Sequence, residues 1–143
     1  MRLAALLLLV PLLAGCADDP QADYCEVVEE HQAALSDIAA TEDAGAIFGA
    51  LEMYDDLHGA APRDVADDWA AVVGPRRGRE DVLTDHGVDP SAYSAESPPA
   101  DLDEEARAQI EAAARRVGSE QTVTAMAAVE QHALDVCGTP LSR

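Results

Sequence analysis

The chain has 143 residues, enough for one domain with a modest core. It carries 28 acidic side chains against nine arginines and no lysine, a formal net charge of −19. A nucleic-acid-binding protein needs a basic footprint, so this charge excludes that class. We interpret the acidity as a solvated, self-repelling surface, in preference to a dedicated site for a basic partner or for cations.

Residues 1–15 have the organisation of a lipoprotein signal peptide. Arg2 supplies the positive charge, and residues 3–14 form an apolar segment. That segment is too short to cross a bilayer core, which needs roughly 20 residues as a helix. The sequence LAGC at residues 13–16 then matches the bacterial lipobox, in which the cysteine thiol receives a diacylglyceryl group before the leader is cleaved.

We therefore predict that residues 1–15 are removed and that acylated Cys16 becomes the first residue of the mature chain. Two or three acyl chains hold a protein stably on a membrane. The predicted location is the extracytoplasmic face of the cell membrane, with membrane lipid as the first partner. The alternative is an ordinary secretory signal, cut after an A-x-A-like site, which leaves Cys16 as a free thiol.

The predicted mature chain has three parts after its leader. Residues 16–22 comprise the lipidated cysteine and a short tether, residues 23–138 a helical domain, and residues 139–143 a C-terminal tail. Losing Arg2 with the leader changes the formal charge to −20.

Two cysteines remain when Cys16 is lipidated. An exported domain lies in an oxidising compartment, so Cys25 and Cys137 are predicted to form one disulfide. This bond ties the start of the first helix to the end of the last. The alternative is a pair of reduced, buried thiols.

Apolar side chains recur with the helical period of 3.6 residues, and no segment alternates with the period of two that marks a strand. The first helix is predicted from Asp23. The second follows a cap at Thr41 or Asp43 and ends at Gly59, the expected left-handed residue. Pro62 is expected in the first turn of the third helix.

The third helix meets Gly74 and Pro75, which could end it. Leu83 nevertheless lies within about 40° of Trp69 on a helical wheel. This phase favours one helix that continues through Pro75 with a kink to about His86, over two separate helices.

A loop follows at residues 87–100, GVDPSAYSAESPPA. Gly87 ends the preceding helix, and Asp89 is expected to start a single turn that packs Tyr93 on the core. The fourth helix is capped by Asp101 or Asp103.

Ser119 is a good N-cap for the last helix, which Gly138 stops. The fold class predicted is therefore all-α, a single bundle of five to six helices. Closing Cys25 to Cys137 requires the first and last helices to run antiparallel.

Short motifs along the chain resemble the small all-helical lipoproteins of actinobacteria. They are LAGC (13–16), DYC (23–25), AP...ADDW (61–69), GVDPSAY (87–93) and HALDVCG (132–138). Those proteins similarly place a cysteine pair near the two ends of the mature chain. The segment GPRRG (74–78) departs from the unbroken helix usual at that place. The resemblance implies the fold, export and anchoring, and no activity or substrate.

The best candidate metal ligands are His31 and His132, with Glu130 or Glu30 as the carboxylate. The disulfide would bring the first and last helices together and place the two histidines at a similar height. Lone helical histidines more often lie at the core boundary, so no metal and no cofactor is assigned.

Arg76, Arg77 and Arg79 form the only basic cluster. Pairing with Glu80, Asp81 and neighbouring acids is expected, in preference to contact with anionic headgroups or a partner.

No hydrolase motif such as G-x-S-x-G or H-E-x-x-H occurs. We predict a non-enzymatic, membrane-anchored binding or accessory module of the cell envelope, with an envelope protein as a possible partner and no small-molecule ligand specified. The alternative is a small metal-binding protein or enzyme that uses His31 or His132 with nearby carboxylates.

Overall fold

The computed structural model describes residues 19–41 and 45–142, and within them every regular element is helical. Five helices have ten residues or more, and this confirms the predicted all-α bundle of five to six helices. The helices are α1 (Pro20–Ala39), α2 (Ala46–Gly49), α3 (Leu51–Ala60), α4 (Ala66–Asp85), α5 (Glu104–Val117) and α6 (Glu120–His132), which continues as a π-helical turn, Ala133–Cys137.

Helix α1 begins earlier than the sequence periodicity predicts. Asp19 is its N-cap, and the Asp19 carboxylate accepts a hydrogen bond of 3.0 Å from the backbone N–H of Gln21. Pro20 occupies the first turn, where its missing N–H costs nothing and its fixed φ suits a helix. The cap and the proline extend the helix three residues ahead of the predicted start at Asp23.

The predicted boundaries of the second and third helices are wrong in two places. Gly59 lies inside α3, and within the described ranges only Gly87 and Gly138 have a positive φ. Pro62 does not open α4, because its carbonyl accepts the N–H of Val65 in a separate turn, and the helix begins at Ala66.

The cap predicted for the second helix is not formed by Thr41. The Thr41 hydroxyl donates a hydrogen bond of 3.0 Å to the carbonyl of Asp37, so this side chain belongs to the end of α1. The other predicted cap, Asp43, lies outside the described residues.

Helix α4 continues through Pro75, as the phase of its apolar residues predicts. Its first half places Trp69 and Val72, both fully buried, in the larger core cluster with α1, α3 and α6. Its second half places Leu83 in a smaller cluster with α5. The indole Nε1 of Trp69 donates a 3.1 Å hydrogen bond to the hydroxyl of Tyr24, so the two largest side chains of the core satisfy each other's polar atoms.

The later caps agree with the sequence. Asp103 and Ser119 accept hydrogen bonds from backbone N–H groups three residues ahead, and they begin α5 and α6. Gly87 and Gly138 adopt the left-handed conformation that ends their helices. A single 3-10 turn, Pro90–Ala92, precedes Tyr93, which packs on the smaller cluster as predicted.

A disulfide joins Cys25 near the start of α1 to Cys137 at the end of the last helix, as predicted. Beyond Cys137 the chain reverses at Gly138, and the Gln32 side chain donates a 2.8 Å hydrogen bond to the carbonyl of Pro140. Leu141 is 2% exposed and belongs to the larger core cluster, so the packed structure extends past residue 138.

Candidate functional site

A cavity of about 300 Å³ opens between α1, α2, α3, α4 and α6. Its wall is part apolar and part polar, and the larger aliphatic side chains come from α1, α2, α6 and the C-terminal segment. These are Leu35, Ile38, Ile47, Met126 and Leu141. The polar groups on the wall include Tyr54 from α3, Arg76 from α4 and Glu130 from α6. An apolar pocket with a few convergent polar groups is the usual form of a small-molecule site.

Arg76 is half-buried beside this cavity. Its guanidinium carbon lies 5.5 Å from the centre of the Tyr54 ring, a cation–π arrangement. Its Nη1 donates a 2.7 Å hydrogen bond to the carbonyl of Val72. Its Nε is buried and has no hydrogen-bond partner. Burial lowers the pKa of the Arg76 guanidinium, and the nearby Tyr54 opposes that effect.

Arg79 shows a similar arrangement away from the cavity. Its guanidinium carbon lies 5.5 Å from the centre of the Phe48 ring and 5.9 Å from that of Tyr93. Its Nε is also buried without a hydrogen-bond partner. Arg79 is therefore a second aromatic-packed arginine on the same helix, in contact with the smaller core cluster.

The prediction that the arginine cluster pairs with neighbouring acids holds for one member. Arg77 forms ion pairs with Glu80, at 2.7 Å, and with Asp55 of α3. Arg76 and Arg79 form no ion pair with any described residue. The prediction is wrong for these two, because the helix directs them towards aromatic rings of the core.

Tyr54 connects the cavity to the core. Its ring centre lies 5.8 Å from that of Trp69. Burial raises the pKa of the Tyr54 phenol, the charge of Arg76 counteracts this shift, and the charge of Glu130 adds to it. Tyr54 therefore stays protonated, and Arg76 stays cationic, near neutral pH.

Glu130 lies where the cavity meets two shallower depressions on α6. Two of the three large apolar side chains that are exposed in the described part of the chain border these depressions. They are Val123, which is 60% exposed, and Leu134, which is 46% exposed. Apolar surface therefore continues from the cavity onto the outside of α6.

The candidate histidine ligands each face an aspartate. The Nε2 of His31 lies 3.1 Å from Oδ2 of Asp56, and the Nε2 of His132 lies 3.3 Å from Oδ2 of Asp64. The His132 ring also meets the Tyr24 ring edge-on, with centres 5.5 Å apart. In residues 19–41 and 45–142, no group of three or more histidine, cysteine or acidic side chains is placed to hold a metal ion. Glu130, the third residue of the predicted set, lines the cavity.

Cys16, the predicted lipidation site, lies outside the described residues, as does the whole of the predicted leader.

None of the described helices is both long enough and apolar enough to span a bilayer.

In comparisons with known proteins, no family model matches the chain, and no curated protein or solved structure matches it either.

The cavity and the pairing of Arg76 with Tyr54 are features that the sequence reasoning missed. The two residues belong to different helices and are 22 positions apart. The sequence contains one indirect indication. In a helix that otherwise supplies the core, Gly74 and Pro75 are followed by three arginines, and the first stands at position 76, where an apolar side chain is expected.

Proposed function

We propose that this protein is a lipid-anchored binding module on the extracytoplasmic face of the cell membrane. The lipobox-like LAGC motif supports the anchor, and the motifs shared with small helical lipoproteins of actinobacteria support the same assignment. The Cys25–Cys137 disulfide is the structural observation that carries the proposal.

Disulfides persist in oxidising compartments and are rare in the cytosol. A bond that closes the first helix onto the last therefore suits a domain that folds after export. The bond also uses two of the chain's three cysteines. Cys16, at the lipobox position, is the remaining thiol.

The early start of α1 supports a tether shorter than the expected residues 16–22. Its N-cap, Asp19, lies three residues after Cys16 in the sequence. Three residues reach at most about 11 Å. An acylated Cys16 would hold the start of α1 close to the membrane surface, with the disulfide only six residues further along α1 from the cap.

Binding is favoured over catalysis by the groups that converge on the cavity. Arg76 and Tyr54 each hold a single protonation state near neutral pH, because Arg76 is a guanidinium and burial raises the pKa of Tyr54. General acid–base catalysis works best with a group whose pKa lies near the operating pH. A fixed cation beside an apolar wall is suited to holding a ligand or a partner's side chain.

The proposal is tested by locating the full-length chain in a bacterium that processes lipoproteins. We expect the protein in the membrane fraction, released by detergent and not by high salt, and digested when protease is added to intact spheroplasts. Cys16→Ser is the matched control, and it should leave the membrane fraction or keep its leader. Crosslinking in intact cells should then enrich an envelope protein over that control. Equal membrane association of the wild-type protein and of a Cys16→Ser chain that has lost its leader, or protection from protease, contradicts the proposal.

A further inference from the structure

Arg76 carries unused hydrogen-bonding capacity next to the cavity. A guanidinium has five N–H donors in a planar fork. One hydrogen bond of Arg76 is formed, from Nη1 to the carbonyl of Val72. Among residues 19–41 and 45–142, no carboxylate forms an ion pair with this side chain.

Half-burying a cation without a carboxylate is unfavourable, and the ring of Tyr54 and the carbonyl of Val72 compensate for part of the cost. Arg77, one residue further along α4, shows that carboxylates are available, since it binds two of them. The remaining N–H groups of the Arg76 guanidinium can thus donate to an added anion.

The side chains around Arg76 indicate the chemical character and the size of the ligand that carries the anion. The side chains of Leu35, Ile38 and Met126 offer aliphatic surface and no charge. The cavity volume of about 300 Å³ accommodates on the order of ten non-hydrogen atoms, taking ~30 Å³ for each as in a liquid. This is the size of a carboxylate with an alkyl chain of seven carbons.

We infer that the cavity binds a medium-chain aliphatic carboxylate, with the carboxylate on the guanidinium of Arg76 and the alkyl chain along the apolar wall. The inference deepens the binding function proposed above and rests on it. Two parallel N–H···O bonds from the fork of the guanidinium orient the carboxylate. Glu130, which also lines the cavity, repels the same anion and weakens its binding.

Octanoate is the probe, since it has ten non-hydrogen atoms and stays monomeric at low concentration. The chain from residue 16 onwards, carrying Cys16→Ser, lacks the apolar segment 3–14 and keeps every described residue. Trp69 is the only tryptophan, and its ring packs against Tyr54, which lines the cavity. Its fluorescence therefore reports on the site. We expect a saturable change with octanoate, weaker binding of hexanoate, and no further gain from decanoate to dodecanoate.

Octylammonium is the discriminating control ligand. The net charge of −19 attracts it to the whole molecule and repels octanoate. A preference of tenfold or more for octanoate therefore has to come from a local cation. Equal binding of the two ligands, or stronger binding of octylammonium, overturns the inference.

Arg76→Gln removes the cation and should weaken octanoate binding by about 10- to 100-fold, the effect of losing a charge-assisted hydrogen bond. Arg79→Gln is the matched control, because it removes an equally unpaired, aromatic-packed arginine of the same helix that does not line the cavity. It should change the affinity less than twofold. Glu130→Gln should tighten binding. Equal effects of Arg76→Gln and Arg79→Gln contradict the inference.

Circular dichroism checks that the variants are folded. If Arg76→Gln unfolds, Arg76→Lys replaces it, with Arg79→Lys as its control. Lysine keeps the charge and lacks the planar fork of the guanidinium, so the affinity for octanoate should fall several-fold in Arg76→Lys and not in Arg79→Lys. If octanoate does not bind while Cys16-dependent membrane association holds, the ligand class is wrong and the anchored module stands. If the association fails, the proposed function is wrong whatever the cavity binds.

Discussion

Replacing Cys25 and Cys137 by serine opens a covalent loop that spans a sequence separation of 112 residues. The stabilisation comes mainly from the unfolded chain, which loses conformational freedom when its ends are joined. The chain-entropy relation gives about 5 kcal/mol at 25 °C for a loop of this length. This amount is comparable to the whole stability of a small domain.

The folded state keeps other contacts at this junction. Leu141 stays in the core, and Gln32 holds the carbonyl of Pro140. Unfolding entropies near 2.1 cal/mol/K per residue convert a loss of 5 kcal/mol into a fall in melting temperature of roughly 20 °C for a chain of this size.

The assay is thermal unfolding followed by circular dichroism, with Cys16→Ser present throughout so that no free thiol exchanges with the disulfide. The oxidised protein, the same protein with reductant, and the Cys25→Ser/Cys137→Ser variant are compared. The two disulfide-free forms should melt together, well below the oxidised form. A difference of less than about 5 °C would refute the reasoning, since the native contacts would then be sufficient without the bond.

Three further perturbations test the packing, the helix ends and the charges. Tyr24→Phe leaves the buried N–H of Trp69 without its acceptor and should destabilise the fold by about 1–3 kcal/mol, measured by urea unfolding. Gly74→Ala, inside α4, adds a methyl group with nothing within 4 Å and should stabilise the fold by about 0.5–1 kcal/mol. Gly138→Ala places a side chain at φ 67° and should destabilise the fold. Changes of the same sign in the two variants would contradict the helix assignments. Burial raises the pKa of Tyr24 and Tyr54, so the folded state holds these protons more tightly than the unfolded chain. Their contribution to stability is complete below about pH 10 and is lost as the pH rises further, so the urea midpoint should fall there, and less steeply in a variant that carries Tyr24→Phe and Tyr54→Phe.

Local signals in the sequence predicted much of the fold. Ser119 and Asp103 are caps because a short oxygen-bearing side chain can reach an N–H three residues ahead, a rule that needs no tertiary information. The continuity of α4 through Pro75 followed from the phase of Trp69 and Leu83, since one continuous helix places both on the same buried side.

The errors arose where two local signals competed. Gly59 has the residue type of a helix end, yet α3 gains another hydrogen-bonded position and ends at Ala60 before the extended Ala61. Pro62 suits a first helical turn, yet a separate turn from Pro62 to Val65 precedes α4. In both cases the residue type alone does not fix the helix boundary.

The cavity could not be predicted from the sequence in this way. Tyr54, Arg76 and Glu130 belong to three helices, and only the packing of α3, α4 and α6 brings them to one wall. The charge pattern predicted that Arg77 binds Glu80, which is three residues away, but it could not predict the bond to Asp55 on another helix. Side-chain chemistry between distant residues depends on interhelical geometry that composition and spacing do not contain.

The most direct test of the anchored module is the mass of its N-terminal peptide. The full-length protein would be extracted from the membranes of a bacterium that processes lipoproteins, digested, and measured by mass spectrometry beside Cys16→Ser. The proposed function predicts a peptide that begins at Cys16 and carries a diacylglyceryl group on the sulfur, and a control that lacks this modification. An unmodified Cys16 within a chain that still contains residues 1–15, or a chain cut elsewhere with a free Cys16 thiol, would contradict it.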